Sequence, residues 1–164
     1  MIGPGEALPL NSTIARHARA PEARQSPPVQ AFRLRRANGE QDLSAGWLEY
    51  FEDCPTEYER YAAACTQLVR NLGPNKNDQF LVIDVDRARG ALASNSALSS
   101  VQIVFSPVLN QPGFVDNPSH ASVVGMHELA EPLEQLAAEQ LALAVRADRM
   151  TWRDLLSHGL VLKK

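Results

Sequence analysis

Histidine, serine, arginine and aspartate side chains would have to supply any chemistry in this chain, and their spacing narrows what it could be. His120 closes the segment Asn117-Pro118-Ser119-His120 at the junction of a loop and an expected strand. An imidazole there suits acid–base work or metal ligation, because its pKa lies near working pH. Ser119 is its chain neighbour, but adjacent strand residues point to opposite faces, which places the hydroxyl poorly for activation by that ring. Ser44 is a second hydroxyl that would assist. The competing reading is an Asn-Pro-Ser turn whose side chains cap local backbone, followed by a core histidine.

Two charged clusters stand beside it. Arg33, Arg35 and Arg36 lie on an expected first strand, where Arg33 and Arg35 share a face at period 2. Guanidiniums side by side make an anion site for phosphate, nucleotide or carboxylate. Asp84 and Asp86 end a strongly apolar run, and the same period places both carboxylates on one face, as a Mg²⁺ or Mn²⁺ site requires. The plainer alternative has Asp86 capping a following helix and Asp84 pairing with Arg87 or Arg89. His127-Glu128 lacks the second histidine of a zinc-protease helix, and Glu128 and Glu131 suit a helix N-terminus. Cys54 and Cys65 have neither CxxC spacing nor a neighbouring histidine. No P-loop, GxGxxG or G-x-S-x-G motif occurs, so no cofactor is expected.

The elements that must position these residues follow from periodicity. Thr56 to Leu72 reads as a helix, with a T-x-x-E capping box at Thr56 and Glu59 and Gly73-Pro74 to stop it. Tyr58, Tyr61, Ala62, Cys65, Leu68, Val69 and Leu72 make its apolar stripe. Strands are expected over Val29–Arg36, Gln79–Asp86, Ser99–Val108 and His120–Met126, the second as a doubly covered central strand. Shorter helices are expected over Ser44–Phe51, with Trp47 as a core anchor, and over Arg87–Ala93. A longer one runs from Pro132 to about Ala147, and a last one begins at Thr151 and closes at Gly159. The order is an α+β pattern: a small mixed or antiparallel sheet of about four strands, helices mainly on one face, and one domain over residues 29–164.

Residues 1–28 read as an extended tail broken by Pro4, Pro9, Pro21, Pro27 and Pro28. Charge is divided along the chain. Residues 1–36 carry six arginines against Glu6 and Glu22, a net +4, and the remainder carries −7. A basic tail on an acidic body suggests contact with a protein partner or a second copy through residues 1–28. The acidic body argues against nucleic acid. No apolar stretch approaches the roughly 20 residues that span a bilayer, and Met1 to Leu10 lacks the features of a secretory signal. A cytoplasmic location is expected.

Phe32-Arg33-x-Arg35, Leu43-Ser44-x-x-Trp47-Leu48-Glu49 and Asn117-Pro118-Ser119-His120-Ala121 together resemble signatures of small uncharacterised bacterial proteins, in outline over residues 30–125. The resemblance implies a small bacterial intracellular protein and attaches no activity. Two readings stand. One is a non-enzymatic interaction protein, an accessory or regulatory subunit of a larger assembly. The other is a small enzyme acting on a phosphate-containing substrate, a nucleotide-dependent transferase or a nuclease, with His120 as acid or base and Arg33 and Arg35 holding the anion.

Overall fold

The run Phe80-Leu81-Val82-Ile83 has apolar side chains at every position, so it can be satisfied only by cover on both sides. In the computed structural model, which describes residues 2–157, it forms strand β3 (Gln79–Asp84) and is buried throughout. Leu81 and Ile83 enter one core, Phe80 and Val82 another. The period of 2 thus divides one strand between two hydrophobic layers.

The expected strand over 29–36 does not form, and β3 pairs with β1 (Thr13–Ala18) residue for residue from Thr13↔Asp84 to Ala18↔Gln79. The other edge of β1 meets β2 (Leu43–Trp47). With β4 (Gln102–Phe105), β5 (His120–Val124) and β6 (Val145–Thr151), the described residues form a six-stranded sheet in the order β4-β5-β2-β1-β3-β6, antiparallel at every joint.

The α+β class therefore stands, with six strands in place of about four. Residues 1–28 are not a free arm. Gly5, Glu6 and Leu8 hydrogen-bond along β4, Leu8 is buried, and residues 13–18 lie mid-sheet. A short helix, α1 (Ala20–Ala23), leads away from β1. Residues 29–36 hold two 3₁₀ turns, Val29–Phe32 and one beginning at Arg36, because buried Ala31 and Phe32 pack beneath a helix instead of into a ladder. Residues 44–51 are the rest of β2 followed by a 3₁₀ turn, Leu48–Phe51, not a helix.

Helices cover both faces, which corrects the one-sided arrangement. On the first lie α3 (Val85–Ala93) and α4 (Glu131–Leu143), packed over Ile14, Leu43, Ile83, Ile103 and Val123. On the second lie α2 (Glu57–Val69) and α5 (Trp152–Ser157), over Ala15, Phe80 and Val82. The expected continuation of α4 to Ala147 fails because the chain turns at Ala144 and enters β6. Gly159, the expected end of the last helix, lies outside the described residues.

Two glycines fix the geometry. A Cβ on Gly46 would stand 3.1 Å from the Ala64 carbonyl oxygen, so α2 would have to draw back by a few tenths of an ångström to admit one. Gly125 has φ +86°, and a Cβ there would stand 2.1 Å from the Ser100 carbonyl oxygen. Gly125→Ala should cost at least about 2 kcal/mol from backbone strain and this clash, read as a lower urea midpoint. Deletion of residues 1–28 should leave a chain without cooperative thermal unfolding by circular dichroism, since it removes the strand between β2 and β3. A cooperative, folded remainder would refute this architecture.

Candidate functional site

His120 opens β5 opposite Gly46, on the face that α2 covers. Ser44 is diagonal to it across the β2–β5 joint, since Ser44 pairs with Ser122. Above them lie the C-terminal end of α2, with Leu68, Asn71 and Leu72, and the loop of residues 108–117. Together they enclose a cleft of about 200 Å³. The loop is pinned by reciprocal bonds: Asn71 Nδ2 donates to the Val115 carbonyl and Val115 N–H to Asn71 Oδ1, both at 2.7 Å. A second pair joins Val108 and Asn117 through their backbones.

The histidine's tautomer follows from its partners. Nδ1 lies 2.8 Å from the Ser106 carbonyl oxygen and 3.0 Å from Ser106 Oγ. A carbonyl only accepts, so Nδ1 carries the proton and Nε2 presents its lone pair. Nε2 has no hydrogen-bond partner among the described residues. Burial holds the His120 pKa below its ordinary value, against the Ser106 hydrogen bond and the Asp42 charge, which act upward. At neutral pH the ring is therefore an uncharged base beside an exposed serine hydroxyl. His120 and Ser44 share the cleft without a hydrogen bond between them. Ser119 does not join them: it is fully buried and its Oγ donates to Asn117 Oδ1 at 2.9 Å, a closed turn.

The arginines are elsewhere and already engaged. Arg36 donates to Glu134 Oε2 from Nε at 3.0 Å and Nη2 at 2.8 Å. Arg33 Nε and the Leu34 N–H both reach Glu134 Oε1, while Arg33 also contacts Gln135. Arg35 holds both carboxylate oxygens of Glu22. Glu134 projects from α4, on the first face of the sheet, so these guanidiniums and His120 occupy opposite sides of the molecule. The structure separates the base from the anion holders that an enzyme acting on phosphate would need together. The carboxylate of Glu134 is 2 % exposed. Burial alone would raise its pKa, but the bonds from Arg36 and Leu34 and the charges of Arg36 and Arg33 outweigh that and lower it.

Asp84 and Asp86 also part company. Asp84 is the last residue of β3 and lies 3.6 Å from Arg146, whereas Asp86 is exposed in the first turn of α3. The strand ends between them, so period 2 no longer aligns them. Among the described residues no group of three or more His, Cys, Asp or Glu is placed to hold a metal ion. Cys54 and Cys65 are unbonded thiols, and burial pushes the Cys65 pKa well up. No described helix is long and apolar enough to cross a membrane.

No family model, curated protein or solved structure matches this chain. The site must be argued from its own groups. Two features escaped the sequence reading. His17, placed in the supposed tail, bonds Asp78 at 3.0 Å beside the Phe80 ring. Trp47 packs against the first core but is only half-buried, and gathers Tyr50 and Phe105 around a separate acidic cleft. The tract from Trp47 to Asp53 did carry a signal, since its aromatics alternate with carboxylates.

Two tests follow from these charges. Glu134→Ala strands two guanidiniums and a backbone N–H. It should cost about 2–3 kcal/mol, less than the loss of a fully buried pair because both arginines keep contact with water, as read by urea unfolding. Glu134 contributes fully above the ordinary glutamate pKa and loses its effect as pH falls through its lowered value. The histidines act in a higher window. Burial lowers the pKa of His17, against its bond to Asp78, and that of His120, so the unfolded chain binds more protons than the folded one as pH drops below about 6.5. The urea midpoint should fall between pH 7 and pH 5, and a midpoint flat across that interval would contradict the burial of both rings.

Proposed function

We propose that this protein works by binding another protein, as an accessory or regulatory subunit, and that the contact is made around the His120 cleft instead of through residues 1–28. One observation carries the reading. Leu72, Leu109, Phe114 and Val115 are all exposed, Phe114 at 59 %, and all belong to the α2 end and the 108–117 loop that form the cleft. Exposed apolar side chains scattered singly need no explanation, whereas several gathered on one pinned loop mark a contact surface. The Asn71–Val115 bonds hold that loop in place before any partner arrives, which limits the ordering cost of association. The groups that looked catalytic in the sequence support the same reading, since the arginines, Ser119 and Asp84 are all engaged in structural bonds.

The test is a pull-down from the native host with the natural chain and with Phe114→Asp, read by native mass spectrometry. A stoichiometric partner should be retained by the natural chain and lost by the variant, with the thermal midpoint unchanged because Phe114 is a surface residue. A bare monomer from both would overturn the proposal.

A second reading, a small enzyme with His120 as general base and Ser44 beside it, is favoured by the tautomer that leaves Nε2 as acceptor. It predicts reactivity of that nitrogen toward diethyl pyrocarbonate, located by peptide mass spectrometry. Since the folded pKa is lowered, acylation of His120 should persist at pH values below about 6.5, where an ordinary histidine is protonated and inert. Loss of reactivity in step with free histidine would remove this reading.

A further inference from the structure

We propose that the cleft between residues 9–12 and the 3₁₀ turn Leu48–Phe51 is a binding site for an organic ammonium group, an alkylated amine carrying its charge on nitrogen. It is separate from the His120 cleft. Its volume is about 650 Å³, and Trp47, Tyr50 and Phe105 line it together with Glu49, Glu52 and Asp53.

The rings form one contiguous group. Trp47 and Phe105 meet edge to face at 5.5 Å, Trp47 and Tyr50 at 6.3 Å, and Tyr50 lies stacked on Phe105 at 6.3 Å with 24° between planes. Aromatic faces carry the negative lobes of the ring quadrupole, and a cation within about 6 Å of a centroid is attracted to them. Tyr50 is 40 % exposed, so part of this surface is open to a ligand. The indole is not there to make a hydrogen bond. Trp47 Nε1 is buried without an acceptor among the described residues, and a buried indole N–H normally finds one. Its position is set by the β2 backbone, by the core it packs against and by the neighbouring rings.

The carboxylates supply the charge. Glu52 and Asp53 are exposed and form no ion pair among the described residues. Glu49, which lines the cleft, uses Oε2 to accept the Thr13 N–H at 2.8 Å, and this bond fixes its carboxylate. Among the described residues no lysine or arginine lines the space. The contrast with Glu134 and Glu22, each answered by arginine, is direct. A hard metal ion would need converging oxygens in place of ring faces. An alkylated ammonium satisfies both halves of the wall, because its methyl groups lie against the rings while its charge is met at the rim.

The same head group occurs on free small molecules and on methylated lysine side chains, and one experiment separates them. In Trp152→Phe, Trp47 is the sole tryptophan, since the chain has two. Its fluorescence is titrated with choline, with the uncharged isostere 3,3-dimethyl-1-butanol, and with a peptide bearing trimethyllysine. Choline or the peptide should give saturable binding at least about tenfold tighter than the isostere, weakening as salt is raised. A tighter peptide assigns the site to a protein-borne ammonium, and tighter choline to a free one. Tyr50→Ala and the pair Glu52→Gln with Asp53→Asn should each weaken binding by about tenfold, whereas Phe114→Asp should leave it intact. If Trp152→Phe does not fold, the Trp47 indole N–H resonance of the natural chain serves as the readout. Equal affinity for choline and its isostere, or no response to either cation, overturns the proposal.

Discussion

The placement of β1 between β2 and β3 is the constraint from which the rest follows. Its six-residue register with β3 is continuous, but its register with β2 consists of Ile14↔Trp47 and Ala15↔Gly46. Beyond Ala15 the strands separate, and the Arg16 side chain takes over. Its Nη1 donates to the Ser44 carbonyl at 2.9 Å and its Nε to the Ala31 carbonyl at 2.7 Å, while Glu40 lies 3.9 Å away. A guanidinium thus satisfies backbone acceptors that a neighbouring strand would otherwise have met. Burial lowers the Arg16 pKa to about 10, which still leaves it charged at neutral pH. On the opposite face α2 closes over the same joint where Gly46 admits Ala64. The narrowest seam in the sheet is held from both sides.

Charge is used in two distinct ways elsewhere. On the α4 face, Glu134 accepts from Arg33, Arg36 and the Leu34 N–H, so one carboxylate fastens an irregular segment that has no ladder to hold it. That arrangement consumes the anion-holding capacity of the cluster. On the α2 face, His120 has one nitrogen committed to a carbonyl and one without a hydrogen-bond partner among the described residues. The first pattern makes shape, whereas the second leaves valence for something outside the chain. Around Trp47 the carboxylates are likewise left without cations among the described residues. The two clefts are distinguished from the structural clusters by what remains unsatisfied in them.

Much of the framework was legible, because it rests on local chemistry. The Thr56–Glu59 capping box forms with both reciprocal bonds, and the apolar run at residues 80–83 is covered on both faces. What escaped depends on contacts between distant residues. In Thr13-Ile14-Ala15-Arg16-His17-Ala18 the alternation is masked by an arginine and a histidine whose partners, Ser44 and Asp78, lie far along the chain. The prolines around it suggested a tail, yet Pro9 and Pro21 sit outside the strand they bracket. Arg33 and Arg35 looked paired on one face because a strand was assumed, and that face vanished with the strand. In the site, His120 and Ser44 were both named from their types, but their common cleft depends on the Ser44↔Ser122 register, which no local pattern encodes. In the Trp47–Asp53 tract the apolar spacing suggests a helix, whereas Glu49, Glu52 and Asp53 gather at one cleft only through the 3₁₀ turn that forms there.

The strand order also sets a timetable for synthesis. β1 is made before the other strands of this sheet, yet its full partner, β3, ends at Asp84. At ordinary elongation rates residues 19–84 take roughly 3 to 13 seconds to be made. Within that interval a strand carrying Ile14 and a guanidinium destined for burial can join only the two-residue seam with β2, which is complete at Trp47. The nascent chain must therefore hold β1 half-paired until β3 arrives, and the longer of its two ladders is the later to close.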